Sequence, residues 1–302
     1  MGYLISQNKG IGSLITNLLQ KSNNNLNSKT LIYLIGVFLF ITYLSNRTFY
    51  LDEASLGLNV IHRNYSGLLN PLEYQQSAPV LFLWISKFIS SLSTSDFILR
   101  TFPFLCSITF LFILSKVIKT TIDPKRLEVQ SILRIVIILL VINTLFYRYG
   151  TEFKQYAGEL LIASVSFALI WNRKYIWCII WLLASIGLSN SNIFLFGTCL
   201  ILAAFDFRSL TRKQGIVLFL ISCTYAAVYY YYLTVMYFNS PVRSYMTEFW
   251  QYAFVPSKIL SSEFYIWFFQ RGLSINYEVF FYNIFHTESI KYLLIFLPVL
   301  IS

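Results

Sequence analysis

Two adjacent carboxylates, Asp52 and Glu53, lie just beyond the first long apolar stretch of the chain. Charged groups are costly to remove from water, so such a pair at the mouth of a membrane helix marks either a helix cap or a polar reaction site. Successive helical residues point about 100° apart. The pair therefore cannot share one proton as an aspartic dyad does. Capping by Asp52 stays open as an alternative to chemistry.

A second group of charged and phenolic residues follows in the sequence YRYGTEFKQYAGE, residues 147–159. Glu159 lies at the apolar start of a helix, where an ionisable group indicates function by default. Glu152 is two residues from Lys154, a spacing that does not favour pairing on a helix. Any pairing of Glu152 with Lys154 or Arg148 therefore depends on the loop conformation.

The elements that must position these residues are membrane helices. The chain is 57% hydrophobic and 12% charged, with a mean hydropathy of +0.62, far from soluble averages. Runs such as LIYLIGVFLFITYL do not alternate, which excludes a β-barrel. The net charge of +10 falls in short loops and indicates topology, not nucleic-acid binding. We therefore predict an all-α polytopic membrane protein.

The basic loops fix the predicted topology. Residues 1–29 form a cytoplasmic or interfacial segment without a cleavable signal peptide, and residues 30–302 form the transmembrane domain. A helix over Ala78–Leu92 would reach only about 22 Å, short of a hydrocarbon core of about 30 Å, so we predict a juxtamembrane helix there and another over Glu53–Leu69. The predicted spans are Leu31–Leu44, Phe97–Lys116, Ile132–Phe146, Gln155–Trp171, Tyr175–Leu188, Ile193–Phe205, Ile216–Met236 and a last one from Lys291.

This topology predicts three external loops, residues 48–96, 147–154 and 237–290. All the residues discussed above then lie at or near one face. Arg148 and Lys154 depart from the positive-inside trend, which favours a functional role for them. Arg100 lies at the outer end of its span, and it has an open alternative as a residue that snorkels to the interface.

The order DEA, QQSAP, LRTFP and EFKQY after one uncleaved span resembles the GT-C class of polytopic glycosyltransferases. The similarity is greatest to the branch of protein O-mannosyltransferases, aminoarabinose transferases and related bacterial enzymes, and it covers about residues 31–205. Members of that class generally run further than residue 302, with additional spans, so the resemblance implies either a carboxyl-terminally truncated sequence or a reduced member. The resemblance implies a GT-C-like helix bundle in a bacterial inner membrane, with its active site on the non-cytoplasmic face.

The resemblance further implies transfer of a sugar from a polyprenyl-phosphate donor to a glycan, lipid or protein acceptor, with inversion at the anomeric carbon. Asp52 would be the general base, with Glu53 in support of substrate or a cation, or simply exposed at the positive helix end. The donor phosphate would be bound by Arg100, Arg148 and Lys154. Glu152, Tyr156 and Glu159 would support the site.

No spacing of ligands in the sequence indicates a metal site, and branches of the family differ in their use of divalent cations. We expect membrane lipid, and no nucleic acid, among the partners. Two alternatives stay open: a flippase or transporter of lipid-linked saccharides, and a non-catalytic membrane component of a polysaccharide assembly. A transporter would carry charges within several spans, whereas here they collect at outer ends and loops.

Overall fold

The computed structural model describes residues 28–45, 47–121, 144–206, 210–234 and 261–276, with Ser244, Thr247, Glu248, Pro256 and Lys258. Every regular element in these ranges is helical. The helices are α1 (Ser28–Leu44), α2 (Leu51–His62), α3 (Val80–Ser90), α4 (Asp96–Leu99), α5 (Thr101–Thr121), α6 (Thr144–Gly150), α7 (Tyr156–Trp171), α8 (Tyr175–Ala184), α9 (Asn192–Phe205), α10 (Arg212–Leu233) and α11 (Ser262–Asn276). Single 3-10 turns occupy Gly67–Leu69 and Ile186–Leu188.

Two helical segments in the described ranges are long and apolar enough to cross a membrane. They are Asp96–Val117 and Arg212–Leu233, each of 22 residues. The other apolar helices have 10–17 residues. The prediction of an all-helical chain is confirmed for the described residues, and these two segments support a membrane location.

The predicted helices lie close to the observed ones, with local differences. The predicted span Phe97–Lys116 is divided at Arg100 into α4 and α5. The predicted span Tyr175–Leu188 ends as a helix at Ala184 and continues as a 3-10 turn. The juxtamembrane helix predicted over Glu53–Leu69 ends already at His62. Residues 1–27, most of Ile132–Phe146, most of residues 237–290 and the last span lie outside the described residues.

Helix α3 is the segment that we predicted to be too short for a span. Its 11 residues give a length of about 16 Å. It packs on α2 and on the 3-10 turn at Ile186–Leu188. The approach is close, because a Cβ atom added to Gly187 would lie 2.9 Å from the Cβ of Leu81. Helices α2 and α3 therefore lie together over one end of the longer helices.

Three apolar clusters support this arrangement. One joins α7, α8, α9 and α10, a second joins α1, α5 and α6, and a third lies beneath α2 and α3. The third includes Phe153, which is completely buried and precedes α7. The loop that carries Glu152 and Lys154 is thereby fixed against α2 and α3. The end of the bundle at this loop is called the charged end below.

Candidate active site

Helix α2 begins immediately before the carboxylate pair. Its cap position is Tyr50, and Asp52 and Glu53 both lie in the first turn, where negative charge is favourable. The side chain that reaches back to the cap is that of Glu53, which accepts a hydrogen bond from the Tyr50 N–H at 3.1 Å. The alternative of Asp52 as the N-cap is therefore wrong, because the capping carboxylate is that of Glu53.

Glu53 is the centre of a buried ion-pair network. Its side chain has no exposed surface and accepts hydrogen bonds from Arg47 at 2.8 Å and from Nε and Nη2 of Arg100, both at 3.1 Å. The backbone N–H of Phe153 donates to the same carboxylate at 2.7 Å. This side chain thus joins the start of α2 to the start of α5 and to the loop before α7. It is not exposed, contrary to the alternative of a carboxylate in water, and the cations that it supports are the guanidinium groups of Arg47 and Arg100.

Arg100 is engaged as completely as Glu53. Its side chain is 3% exposed, and its guanidinium donates to the carbonyl oxygens of Arg47 and Thr48 as well as to Glu53. The guanidinium also lies over the ring of Phe49, 4.6 Å from the centroid. The Arg100 donors are directed to Glu53 and to two backbone carbonyl oxygens, so in this structure they face protein groups rather than the membrane interface, and phosphate binding by Arg100 stays a prediction.

The charge of Glu53 is maintained by these contacts. Burial by itself raises the pKa of Glu53, but the hydrogen bonds from Arg100 and from the backbone of Phe153 and Tyr50 outweigh it. The pKa of this carboxyl therefore lies below its ordinary value. A group held ionised in this way is a poor base.

Asp52, by contrast, is exposed, and its charge acts on Lys154 in the loop before α7. Lys154 is 9% exposed, and burial lowers the pKa of its ammonium, while the Asp52 carboxylate is the largest of the charges that oppose this change. Glu152 also acts on Lys154, and Asp52 and Glu152 both act on the hydroxyl of Tyr156. We call Asp52, Arg148, Glu152, Lys154 and Tyr156 the charged cluster.

Glu152 is a buried carboxylate with incomplete pairing. It is 6% exposed, and its Oε2 atom accepts no hydrogen bond. The nearest ion-pair contact is Nε of Arg148 at 3.9 Å. Burial, and then the charge of Glu53, raise the pKa of Glu152, and the nearby cations Arg148, Arg47 and Lys154 offset this only in part. Glu152 thus contacts Arg148 without a hydrogen bond, and Lys154 donates elsewhere, so the orientation of either cation by Glu152 stays a prediction.

The ammonium of Lys154 donates to Oε1 of Gln76 at 3.0 Å. Gln76 follows two residues with left-handed backbone conformations, Tyr74 at φ 58° and Gln75 at φ 55°. Such conformations cost about 1–3 kcal/mol for residues other than glycine and collect at functional sites. The buried amide of Asn59 holds the loop by pairing with both the N–H and the carbonyl oxygen of Glu73. The QQSAP segment thus fixes the position of Lys154.

Aromatic rings border the cluster on the side of Arg148. The Arg148 guanidinium lies 5.0 Å from the centroid of Tyr50, and Arg47 lies 4.6 Å from the same ring. Tyr149 and Tyr156 form an edge contact with centroids 5.0 Å apart. Arg148 is half exposed. It is therefore an accessible cation held beside phenol rings.

Of the predicted site residues, the structure brings together Asp52, Arg148, Glu152, Lys154 and Tyr156. Glu159 lies in the first turn of α7, where it accepts a hydrogen bond from the backbone of Asn190 and also acts on the Tyr156 hydroxyl, so it lies at the border of the cluster. Arg47 and Gln76 were missed. Arg47 departs from the positive-inside trend as Arg148 and Lys154 do, and Gln76 lies within the QQSAP segment, so the signals existed.

Within the described ranges, no group of three or more His, Cys, Asp and Glu residues is placed to hold a metal ion. The question of a divalent cation thus stays as the sequence left it. Comparison with models of protein families gave no match, and neither did comparisons with curated proteins and with solved structures.

Proposed function

We propose that this chain is a multi-pass membrane glycosyltransferase of the GT-C type. It would transfer a sugar from a polyprenyl phosphate to an acceptor hydroxyl group on the non-cytoplasmic face. The observation that carries the proposal is the charged cluster, in which the exposed carboxylate of Asp52 lies within electrostatic range of the buried ammonium of Lys154. A base for the acceptor and a cation for the leaving phosphate are the two groups that such a transfer needs.

The proposed topology follows from the distribution of charge. Helices α1, α5, α7, α8, α9 and α10 would cross the membrane, with further spans in the rest of the chain. The ends that carry Arg173, Lys174, Arg212 and Lys213 would face the cytoplasm. The charged cluster lies at the other end of these helices, and α2 and α3 would lie at that membrane surface.

The proposed reaction is a single displacement. The acceptor oxygen attacks the anomeric carbon and forms the new glycosidic bond, while its proton passes to Asp52. The bond between the anomeric carbon and the phosphate oxygen breaks on the opposite face of the sugar, so the configuration inverts. Phosphate leaves with the electron pair and needs no general acid. Lys154 and Arg148 stabilise the negative charge that it gains.

The division between Asp52 and Glu53 supports this assignment. Glu53 is fully occupied by donors, whereas the structure gives the Asp52 carboxylate no hydrogen-bond donor among the described contacts. An exposed carboxylate near a membrane surface can reach the acceptor without breaking an existing ion pair. Asp52 is therefore the base in this proposal, and Glu53 is a positioning residue.

The test is transfer by the variant Asp52→Asn, measured on purified full-length protein with a panel of lipid-linked sugar donors. We expect a loss of at least about 100-fold, because a positioned base contributes about 10²–10⁴-fold. Its stability should fall by no more than about 1 kcal/mol, the usual value of a charge at a helix N-terminus. The matched control is Glu73→Gln, which removes an exposed carboxylate from the same segment.

Transfer by Asp52→Asn at the wild-type rate would remove Asp52 as the base. If the wild-type protein transfers none of the sugars in the panel, the enzymatic proposal fails. Translocation of a fluorescent lipid-linked saccharide across vesicles then tests the transporter alternative. In that case Asp52→Asn should leave translocation intact, since no proton is removed from an acceptor.

A further inference from the structure

The end of the bundle opposite the charged cluster contains a cleft between the starts of α8 and α10. Its volume is about 320 Å³, within the range of small-ligand sites. Arg173, Lys174 and Gln214 contribute its polar side, and Trp177, Ile176 and Leu218 contribute its apolar side. The cleft therefore combines cationic groups with an apolar wall.

The basic residues around the cleft do not stabilise the helices at whose N-termini they lie. Lys174 is the cap residue of α8, and Arg212 and Lys213 lie in the first turn of α10, while neither first turn contains an acidic residue. Cations at helix N-termini are unfavourable because the helix dipole is positive there. Among the described residues of these helix ends, the only acidic side chain is Asp206.

Asp206 is already committed to local contacts. It pairs with Nη1 of Arg173 at 3.3 Å and accepts a hydrogen bond from the Tyr175 hydroxyl at 3.2 Å. It cannot neutralise Lys174, Arg212 and Lys213 as well. The backbone of Arg173 is left-handed, at φ 54°, and its side chain is 70% exposed. The structure thus holds an excess of exposed positive charge at the mouth of the cleft.

We propose that this cleft binds the headgroup of an anionic phospholipid. The phosphate would lie against Arg173 and Lys174, and the acyl chains would follow the apolar wall between α8 and α10. A free phosphate would not need that wall. Trp177, which is 64% exposed, has the amphipathic ring that suits the membrane interface. The proposal rests on the membrane topology proposed above but not on transferase activity.

The experiment uses the full chain purified in detergent, with phosphatidylglycerol or phosphatidylcholine added at equal concentrations. Retained lipid is counted by native mass spectrometry. We expect wild-type protein to retain phosphatidylglycerol preferentially. The double variant Arg173→Gln/Lys174→Gln should bind this lipid about tenfold more weakly. Each basic residue near an anionic surface contributes about 1 kcal/mol, and Asp206 offsets part of the contribution of Arg173. The single variant Lys174→Gln leaves the Arg173–Asp206 pair intact and should lose part of the preference.

The matched control is Lys116→Gln/Lys258→Gln, which removes the same charge outside the cleft and should bind as the wild type does. Phosphatidylglycerol with brominated acyl chains should quench the fluorescence of wild-type protein more than that of Trp177→Phe. Equal retention of both lipids by the wild type, or an unchanged preference in the double variant at Arg173 and Lys174, would overturn the proposal. Displacement of the lipid by inorganic phosphate alone would assign the cleft to a soluble anion instead. None of these lipid-binding measurements depends on sugar transfer, so failure of this proposal can be distinguished from failure of the proposed transferase activity.

Discussion

Replacement of Glu53 by glutamine should destabilise the protein severely. The wild-type carboxylate accepts five hydrogen bonds, three from guanidinium groups and two from backbone N–H groups. A glutamine has about the same size, but its NH₂ group would face donors in place of an acceptor. Arg100, whose side chain is 3% exposed, would keep its charge without a counter-ion.

The expected loss is about 3–5 kcal/mol, the cost of removing one partner from a buried ion pair. Arg47 contributes less of this, because its side chain is 26% exposed and water can replace Glu53 there. The matched control is Glu73→Gln, whose ion pair with Arg63 is 3.1 Å long but 65% exposed on the glutamate side. Exposed pairs contribute about 0–1 kcal/mol.

The measurement is the free energy of unfolding of each variant in detergent micelles, followed by helical circular dichroism. A double-mutant cycle with Arg100→Gln also measures the coupling energy between Glu53 and Arg100. The double variant should recover part of the loss, because no buried charge then lacks a partner. If Glu53→Gln is no less stable than Glu73→Gln, the network does not hold the charged end together and the assignment of Glu53 fails.

The pH dependence of folding stability provides an independent test of the buried ion pair at Glu53. The pKa of Glu53 is lowered in the folded protein, so its stabilisation is present above the ordinary carboxyl range and is lost as the pH falls through the folded value. Wild-type stability should therefore fall below about pH 4.5. Glu53→Gln should lack this component. A parallel decline in both proteins would contradict the buried ion pair.

Two further predictions concern the same end of the molecule. Burial raises the pKa of Glu152, so the ionised carboxylate destabilises the fold above its folded pKa, and this penalty disappears as the pH falls. In unfolding measurements, Glu152→Gln should therefore be at least as stable as the wild type at pH 8 and should lack this pH dependence. A clear loss of stability at pH 8 would contradict the prediction. Gly187→Ala should cost about 1–3 kcal/mol by overpacking, because the new Cβ would lie 3.3 Å from the backbone nitrogen of Leu81. The control is Gly197→Ala, which meets nothing within 4 Å and should be neutral or stabilising; equal unfolding energies for the two would refute the close approach of α3.

Much of the helical layout was predictable because apolar length and basic flanks are local signals. Helices α7, α8 and α9 begin within one residue of their predicted positions. The short α3 was predicted for the same reason, since helix length follows directly from residue count. The break at Arg100 was not predicted, although a local signal for it existed, because Pro103 has no N–H to donate to the carbonyl oxygen of Leu99.

The site was predicted in part. Asp52 and Glu152 were selected through the resemblance to the GT-C class, and Lys154 also because its charge departs from the positive-inside trend; the structure brings these three residues together. The resemblance also selected Arg100 and Glu53, which pair with each other across 47 positions. Unusual charge shows that a residue has a partner but not whether the partner is protein or substrate. Burial decides between them, and burial depends on the tertiary fold.

The adjacency of Asp52 and Glu53 can now be explained physically. Two successive residues on a helix point in directions about 100° apart, so a helix that lies on a surface can bury one carboxylate and expose the other. Glu53 faces inward and fixes α2 to Arg100 and to the backbone of Phe153. Because Phe153 lies between Glu152 and Lys154, the same contact sets the position of both residues relative to Asp52. A single buried glutamate thereby determines the geometry in which its exposed neighbour can act.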